Sequence, residues 1–166
     1  GFRVGTGIWQ PDSTGTFRNS GTNIDLDTDL HLPNGDDQTH TYAFFEHPIP
    51  LIPNIKVAQT ALSFDGTGAP GTGFTYGGLP FTNKLNTKLV LDHSDVTAYW
   101  SLLDNWLNLD LGVTARAFDG KLSVTDTVTS NTFTANIDQT VPMLYGAIGL
   151  EIPFISDLFF GVEVNM

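Results

Sequence analysis

The sequence predicts an all-β chain, an antiparallel up-and-down transmembrane β-barrel of about eight strands. Three observations predict it. Apolar and polar residues alternate with period 2 between turn-rich clusters, and no segment holds the helical period of about 3.6. The connections between these segments alternate long and short, as in barrels with short turns at one end and long loops at the other. No run of about 18 apolar residues could cross a bilayer as a helix. The hydrophobic fraction of 40% is what walls of alternating polarity leave on average.

Seven strands follow in order, within one domain spanning residues 1–166. The first occupies residues 2–10, the second 39–47 and the third 54–64. The fourth starts near Asn83 and ends near Leu102, with Val96, Ala98, Trp100 and Leu102 opposite Asp95, Thr97, Tyr99 and Ser101. The fifth, residues 107–118, sets Leu107, Leu109, Leu111, Val113, Ala115 and Ala117 against Asn108, Asp110, Gly112, Thr114 and Arg116. The sixth, residues 141–152, sets Leu144, Gly146, Ile148, Leu150 and Ile152 against Met143, Tyr145, Ala147, Gly149 and Glu151. The seventh, residues 158–166, sets Phe160, Val162 and Val164 against Phe159, Gly161, Glu163 and Asn165. The long connections are then 11–38, 65–82 and 119–138, and the short ones 48–53, 103–106 and 153–157. Trp106 and Phe154 beside short turns, and Trp9, Phe64, Phe81 and Phe118 near long loops, suit interfacial girdles. In residues 24–32, Ile24, Leu26, Thr28, Leu30 and Leu32 alternate with Asp25, Asp27, Asp29 and His31. That segment fits a strand extension outside the membrane, a plug in the lumen, or a further wall strand.

Successive side chains of a strand point to opposite faces. The apolar set Leu109, Leu111, Val113, Ile148, Leu150 and Val162 is therefore expected to meet lipid. Arg3, Asp110, Arg116, Glu151 and Glu163 fall on the other face; Glu46 and Lys56 are further candidates, on strands whose alternation reads either way. Unpaired charge in a narrow lumen is costly, so these groups are expected to pair. Arg116 is expected within ion-pair distance of Asp110, Glu151 or Glu163. An interior just wide enough for side chains favours a plug of ion pairs over a gated pore.

The formal charge of −11 argues against nucleic acid, whose phosphates would be repelled. With no Cys there is no disulfide framework or thiol nucleophile. His93-Ser94-Asp95 has the composition of a catalytic triad, but on a strand Ser94 points away from His93 and Asp95. Gly66-Thr67-Gly68-Ala69-Pro70-Gly71 matches a dinucleotide fingerprint, yet no helix-forming sequence follows it. Asp25, Asp27, Asp29 and Asp36 echo a calcium loop, but Leu30 stands where the sharp turn needs Gly. The alternatives there are a solvated acidic loop and a loose cation site against lipopolysaccharide phosphates. No catalytic residue, metal ligand or cofactor site is predicted.

Three blocks carry a family resemblance: Trp9-Gln10-Pro11, Glu46-His47-Pro48-Ile49-Pro50-Leu51-Ile52-Pro53-Asn54-Ile55, and Leu103-Asp104-Asn105-Trp106 leading into Leu109-Asp110-Leu111-Gly112. Together they resemble a family of small outer-membrane β-barrel proteins of Gram-negative bacteria. The resemblance implies the cell outer membrane, with lipid and lipopolysaccharide as partners, and no particular activity. Members end in a closing strand with a terminal aromatic, whereas this chain ends in Val164-Asn165-Met166. The expected role is non-enzymatic: structural support, surface adhesion or passage of a small solute. The rivals are a lipid-modifying barrel enzyme and a soluble β-sandwich or lipocalin-like binding module. Seven strands is an odd number, so the first and last would meet in parallel. The expectation is an incomplete barrel, closed by a further descending strand after Met166 or by a neighbouring chain at the open edge. A wall strand within residues 24–32 is the competing explanation.

Overall fold

The computed structural model describes residues 1–166 except 12, 20–21, 33–36, 50 and 152–158. Its strands are β1 (Phe2–Trp9), β2 (Thr16–Asn19), β3 (Thr22–Asp25), β4 (Gln38–Phe45), β5 (Asn54–Ala61), β6 (Ser63–Gly68), β7 (Phe74–Tyr76), β8 (Leu79–Phe81), β9 (Leu85–Asp104), β10 (Leu107–Asp126), β11 (Thr132–Glu151) and β12 (Phe159–Asn165). The wall runs β1-β4-β5-β9-β10-β11-β12, and β6 continues the line of β5 along the upper part of β9. Every pairing is antiparallel. The sheet is open and strongly curled, a half-barrel.

The seven wall strands are those the alternation predicts, but their extents differ: the third is split into β5 and β6, and residues 65–82, expected as a loop, continue β6 to Gly68 and form the β7–β8 hairpin. Residues 119–138 are not a loop. β10 and β11 run 20 residues each and pair from Leu107↔Leu150 to Thr125↔Thr132 without a slip. Residues 24–32 are not a wall strand either: β3 pairs with β2 in a separate two-stranded sheet. Phe64 and Phe81 are buried in a core and Phe118 packs against His93, so these three form no outer girdle. Phe154 lies outside the described residues.

The reason for the missed strand extension is a change of phase. In the lower part of β10 the odd positions Leu109, Leu111 and Val113 are apolar; above Phe118 the even positions Leu122 and Val124 are. β9 changes from Val96, Ala98 and Trp100 to Leu85, Leu89 and Leu91, and β11 from Leu144, Ile148 and Leu150 to Phe133, Ala135 and Ile137. Pairing continues through the change, so no strand rotates. The convex face turns from apolar to polar (Asn86, Lys88, Lys121, Thr134, Asn136) while the concave face turns from polar to apolar. Asp92, Asp119 and Asp138 stand side by side in the ladder at that level.

Above it lies the hydrophobic core. Leu85, Leu89, Leu122, Val124 and Phe133 of the wall meet Phe64, the β7–β8 hairpin through Phe74 and Phe81, and Ile24, Leu30 and Leu32. Phe74 stacks on Phe81 at 5.3 Å and both set their edges or faces to Phe133. The hairpin turns on Gly77 and Gly78, both at positive φ, the two-residue turn that matches strand twist. At Gly66 a side chain would strike the Leu30 and His31 carbonyls, so this glycine lets residues 22–32 dock on β6.

The upper β10–β11 turn hangs on Asp126. Its carboxylate is fully buried and accepts the N–H groups of Val128 and Thr129, each at 2.9 Å, and of Asn83 at 3.2 Å. The Asn83 side-chain amide adds further bonds. These donors favour the anion and hold Asp126 well below the usual carboxylate range. A depressed folded-state pKa contributes stability above the unfolded value of about 3.9 and loses it as pH falls through the folded value. Asp126→Asn is therefore expected to lower the urea midpoint at pH 6, and the gap from the parent should narrow as pH drops below about 4. A gap independent of pH would rule out the charge as the cause.

Candidate functional site

Below the core, the concave face is polar and its charges stand in tiers. At the lowest tier Glu46, just past β4, takes Arg3 of β1 in an ion pair and the Tyr99 hydroxyl at 3.0 Å. In the middle Lys56 of β5 pairs with Glu163 of β12, reaching across the curl. The Thr97 and Thr114 hydroxyls bond at 2.7 Å and Thr114 donates to Asn165 at 2.8 Å. In the upper tier Arg116 donates to both oxygens of Asp95 at 2.8 and 2.7 Å. That fork is the strong, bidentate form of the contact.

Aromatic rings fill the space between. The Lys56 ammonium stands 5.2 Å from the Phe44 ring, 5.7 Å from Tyr145 and 5.9 Å from Tyr42. Arg3 lies 5.1 Å over Phe44. At Lys56, which is buried, the cation–π contacts and the Glu163 carboxylate together compensate the charge that burial strips of water, whereas Arg3 is exposed. The Tyr42 ring lies over Gly5, where any side chain would collide with it. What remains open is a cavity of about 760 Å³ lined among others by Arg3, His40, Tyr42, Lys56, Asp110 and Glu163.

The structure brings Arg3 and Glu163 into ion pairs, with Glu46 and Lys56 as their partners. Arg116 pairs with Asp95 and with none of Asp110, Glu151 and Glu163. The reason is register: Arg116 sits directly opposite Asp95 on β9. Asp110 lines the cavity outside these pairs, and Glu151 is exposed at the lower end of β11. On the convex face Leu111, Val113, Ile148, Leu150 and Val162 are 45–63% exposed, and Leu109 is half-buried. Sequence reasoning had Asp95, Thr97 and Tyr99 on the polar face and still left Asp95 out of the charged set. Their place on the polar face of their strand, as Arg116 is on that of its own, was the available signal.

No family model, curated protein or solved structure matches the chain.

The motifs that evoke chemistry are used structurally. Asp95 and His93 face inward and Ser94 outward; the Asp95 carboxylate is held by Arg116, and the His93 Nδ1 lies 3.0 Å from the Leu91 carbonyl. Gly66 and Gly68 belong to β6 and no helix follows them. Asp25 accepts the N–H groups of Asp27 and Thr28, each at 2.9 Å, closing a turn that also depresses its pKa. Asp36 lies outside the described residues. Among the described residues no three His, Asp or Glu groups form a metal cluster.

Removing one partner of a buried ion pair strands the other. Asp95→Asn is expected to destabilise the refolded protein by about 3 kcal/mol, because both side chains of that pair are largely buried. Glu163→Gln should cost less, about 1–2 kcal/mol, since Glu163 is partly exposed and screened. Removing both partners, in Asp95→Leu with Arg116→Met, should recover most of the loss. Guanidinium unfolding midpoints give the comparison; a double variant no better than Asp95→Asn would refute the pairing argument.

Proposed function

We propose that this chain is the wall of a non-enzymatic outer-membrane β-barrel whose lumen is plugged by ion pairs and whose upper sheet stands outside the membrane. The observation that carries the reading is the change of face chemistry at one level on β9, β10 and β11. Below it the convex face is an exposed apolar band including Val4, Ile8, Val57, Val96, Leu111, Val113, Leu144, Ile148 and Val162. Along β10 the band covers about 10 residues, or about 34 Å of strand; at the tilt of about 40° usual in such barrels that is about 25 Å of height. This matches the hydrocarbon-facing band of an outer-membrane barrel. Above it the same faces have the pattern of a water-exposed sheet packed on an apolar core.

A lipocalin-like module needs an apolar concave face all through, whereas Arg3, Lys56, Asp95, Arg116 and Glu163 lie on that face here. A lipid-modifying enzyme needs a nucleophile and base in reach of each other. Ser94 and His93 face opposite ways, and the Thr60 hydroxyl that lies 2.8 Å from His40 Nδ1 belongs to a buried residue. The plugged lumen favours structural support or surface contact through the upper sheet over solute passage.

The test compares two exposed convex positions. Leu111→Arg, inside the band, should block insertion into lipid vesicles, where arginine at mid-bilayer costs about 2–4 kcal/mol. Thr134→Arg, above the band, should insert like the parent. Vesicle flotation after refolding reads both, and equal behaviour would count against the membrane reading. Planar-bilayer recordings of the parent should show little steady conductance; large stable channels would replace the plug with a pore.

A further inference from the structure

Six antiparallel pairings join the seven wall strands. Six reversals leave β1 and β12, the two edges, running the same way. Among the described residues no backbone pairing joins them. Each edge therefore carries a row of N–H and C=O groups without a strand partner. The edges nonetheless face each other. The cavity is lined by Arg3 and Val4 of β1 on one side and by Gly161, Val162 and Glu163 of β12 on the other. The Lys56–Glu163 pair ties β5 to β12 across the same space. Val4 and Val162 belong to the convex face, so the cavity runs out through the gap between the edges.

We propose that this gap is a slot for one extended polypeptide strand, running antiparallel to both edges and closing an eight-stranded barrel. The proposal rests on the membrane reading above, since hydrocarbon offers unpaired backbone groups no substitute partner. The edges dictate the occupant's chemistry. On the convex side its neighbours are Val4, Ile8, Phe160, Val162 and Val164, all exposed, so alternate residues of the strand are apolar. On the concave side its neighbours include Arg3, Gly5, Gly161 and Glu163, and with the Tyr42 ring already over Gly5 the residue beside that glycine is small and polar. A second copy does not fit. Copies inserted in one orientation present only edges that run in the β1 direction, and these meet in parallel. A copy inserted the other way puts its polar upper sheet on the wrong side of the bilayer. Lipid has neither the donors nor the acceptors.

The chain has no cysteine, so introduced pairs report the gap without background. Val4→Cys is combined in turn with Phe160→Cys, Val162→Cys and Val164→Cys, and each protein is refolded into phosphatidylcholine vesicles. A slot one strand wide sets the edges at two strand spacings, about 9–10 Å, beyond the roughly 7 Å that a disulfide spans. Oxidation should give no intrachain disulfide, while a bismaleimide reaching about 10 Å should join at least one pair. A synthetic peptide of alternating valine and serine should then protect the β1 and β12 amides from hydrogen exchange at one peptide per chain, and a scrambled peptide should not. An intrachain disulfide, a disulfide between two chains, or equal protection by both peptides would overturn the slot while leaving insertion intact. A chain that fails to float with the vesicles would overturn the membrane reading and the slot with it.

Discussion

The unbroken pairing of β10 with β11 is the constraint on which the rest of the architecture depends. Nineteen residue pairs succeed one another from Leu107↔Leu150 to Thr125↔Thr132. With period 2 held over that length, no side chain can change face part-way. Any change in what the protein meets along its height must be written as a change in which parity is apolar. The chain does so near Phe118, and β9 follows at the same level. One continuous sheet thus presents an apolar convex face below and a polar one above.

The two halves are held together differently. In the upper half burial of Phe74, Phe81, Phe133, Ile24 and Leu30 is non-directional, and it gathers three separate sheets into one core. In the lower half the contacts are directional. Each arginine or lysine on the concave face has a specific carboxylate, and Lys56 has aromatic faces as well. Such pairs add little net stability over apolar packing, but a strand slipped by one residue would leave charges buried without partners. Their effect is to select one register and one curl. The same side chains line the concave cavity, so the groups that select the register also set its polar lining.

The curl is set by contacts that bypass the ladder. Lys56–Glu163 links β5 to the β12 edge four strands along the wall, and Arg3–Glu46 fixes the lower corner of the β1 edge within the β1–β4 pair. Through these contacts the two edges approach without pairing. The parity of the strand count makes direct closure unfavourable, because it would join parallel neighbours in a sheet that is otherwise antiparallel.

Alternation is local, and local features were legible in the sequence. It located the seven wall strands and put Leu111, Val113, Ile148, Leu150 and Val162 on the exposed convex face. It also put Arg3, Arg116 and Glu163 on the opposite face. What it could not supply were partners across strands. Whether Arg116 meets Asp95 or Glu163 depends on register set by a distant turn and a bulge near Leu109. Residues 24–32 alternate like a wall strand, yet β3 pairs with β2 and Ile24 and Leu30 enter the core, a choice made by the apolar surface waiting on β6, β9 and β10. The extensions of β10 and β11 were hidden because a reversed phase looks like an ended strand. By itself the sequence determined the strands and their two faces, since side-chain direction follows from neighbouring residues alone. Only the tertiary structure decided pairing, curl and edges, since those depend on contacts between residues far apart in the chain.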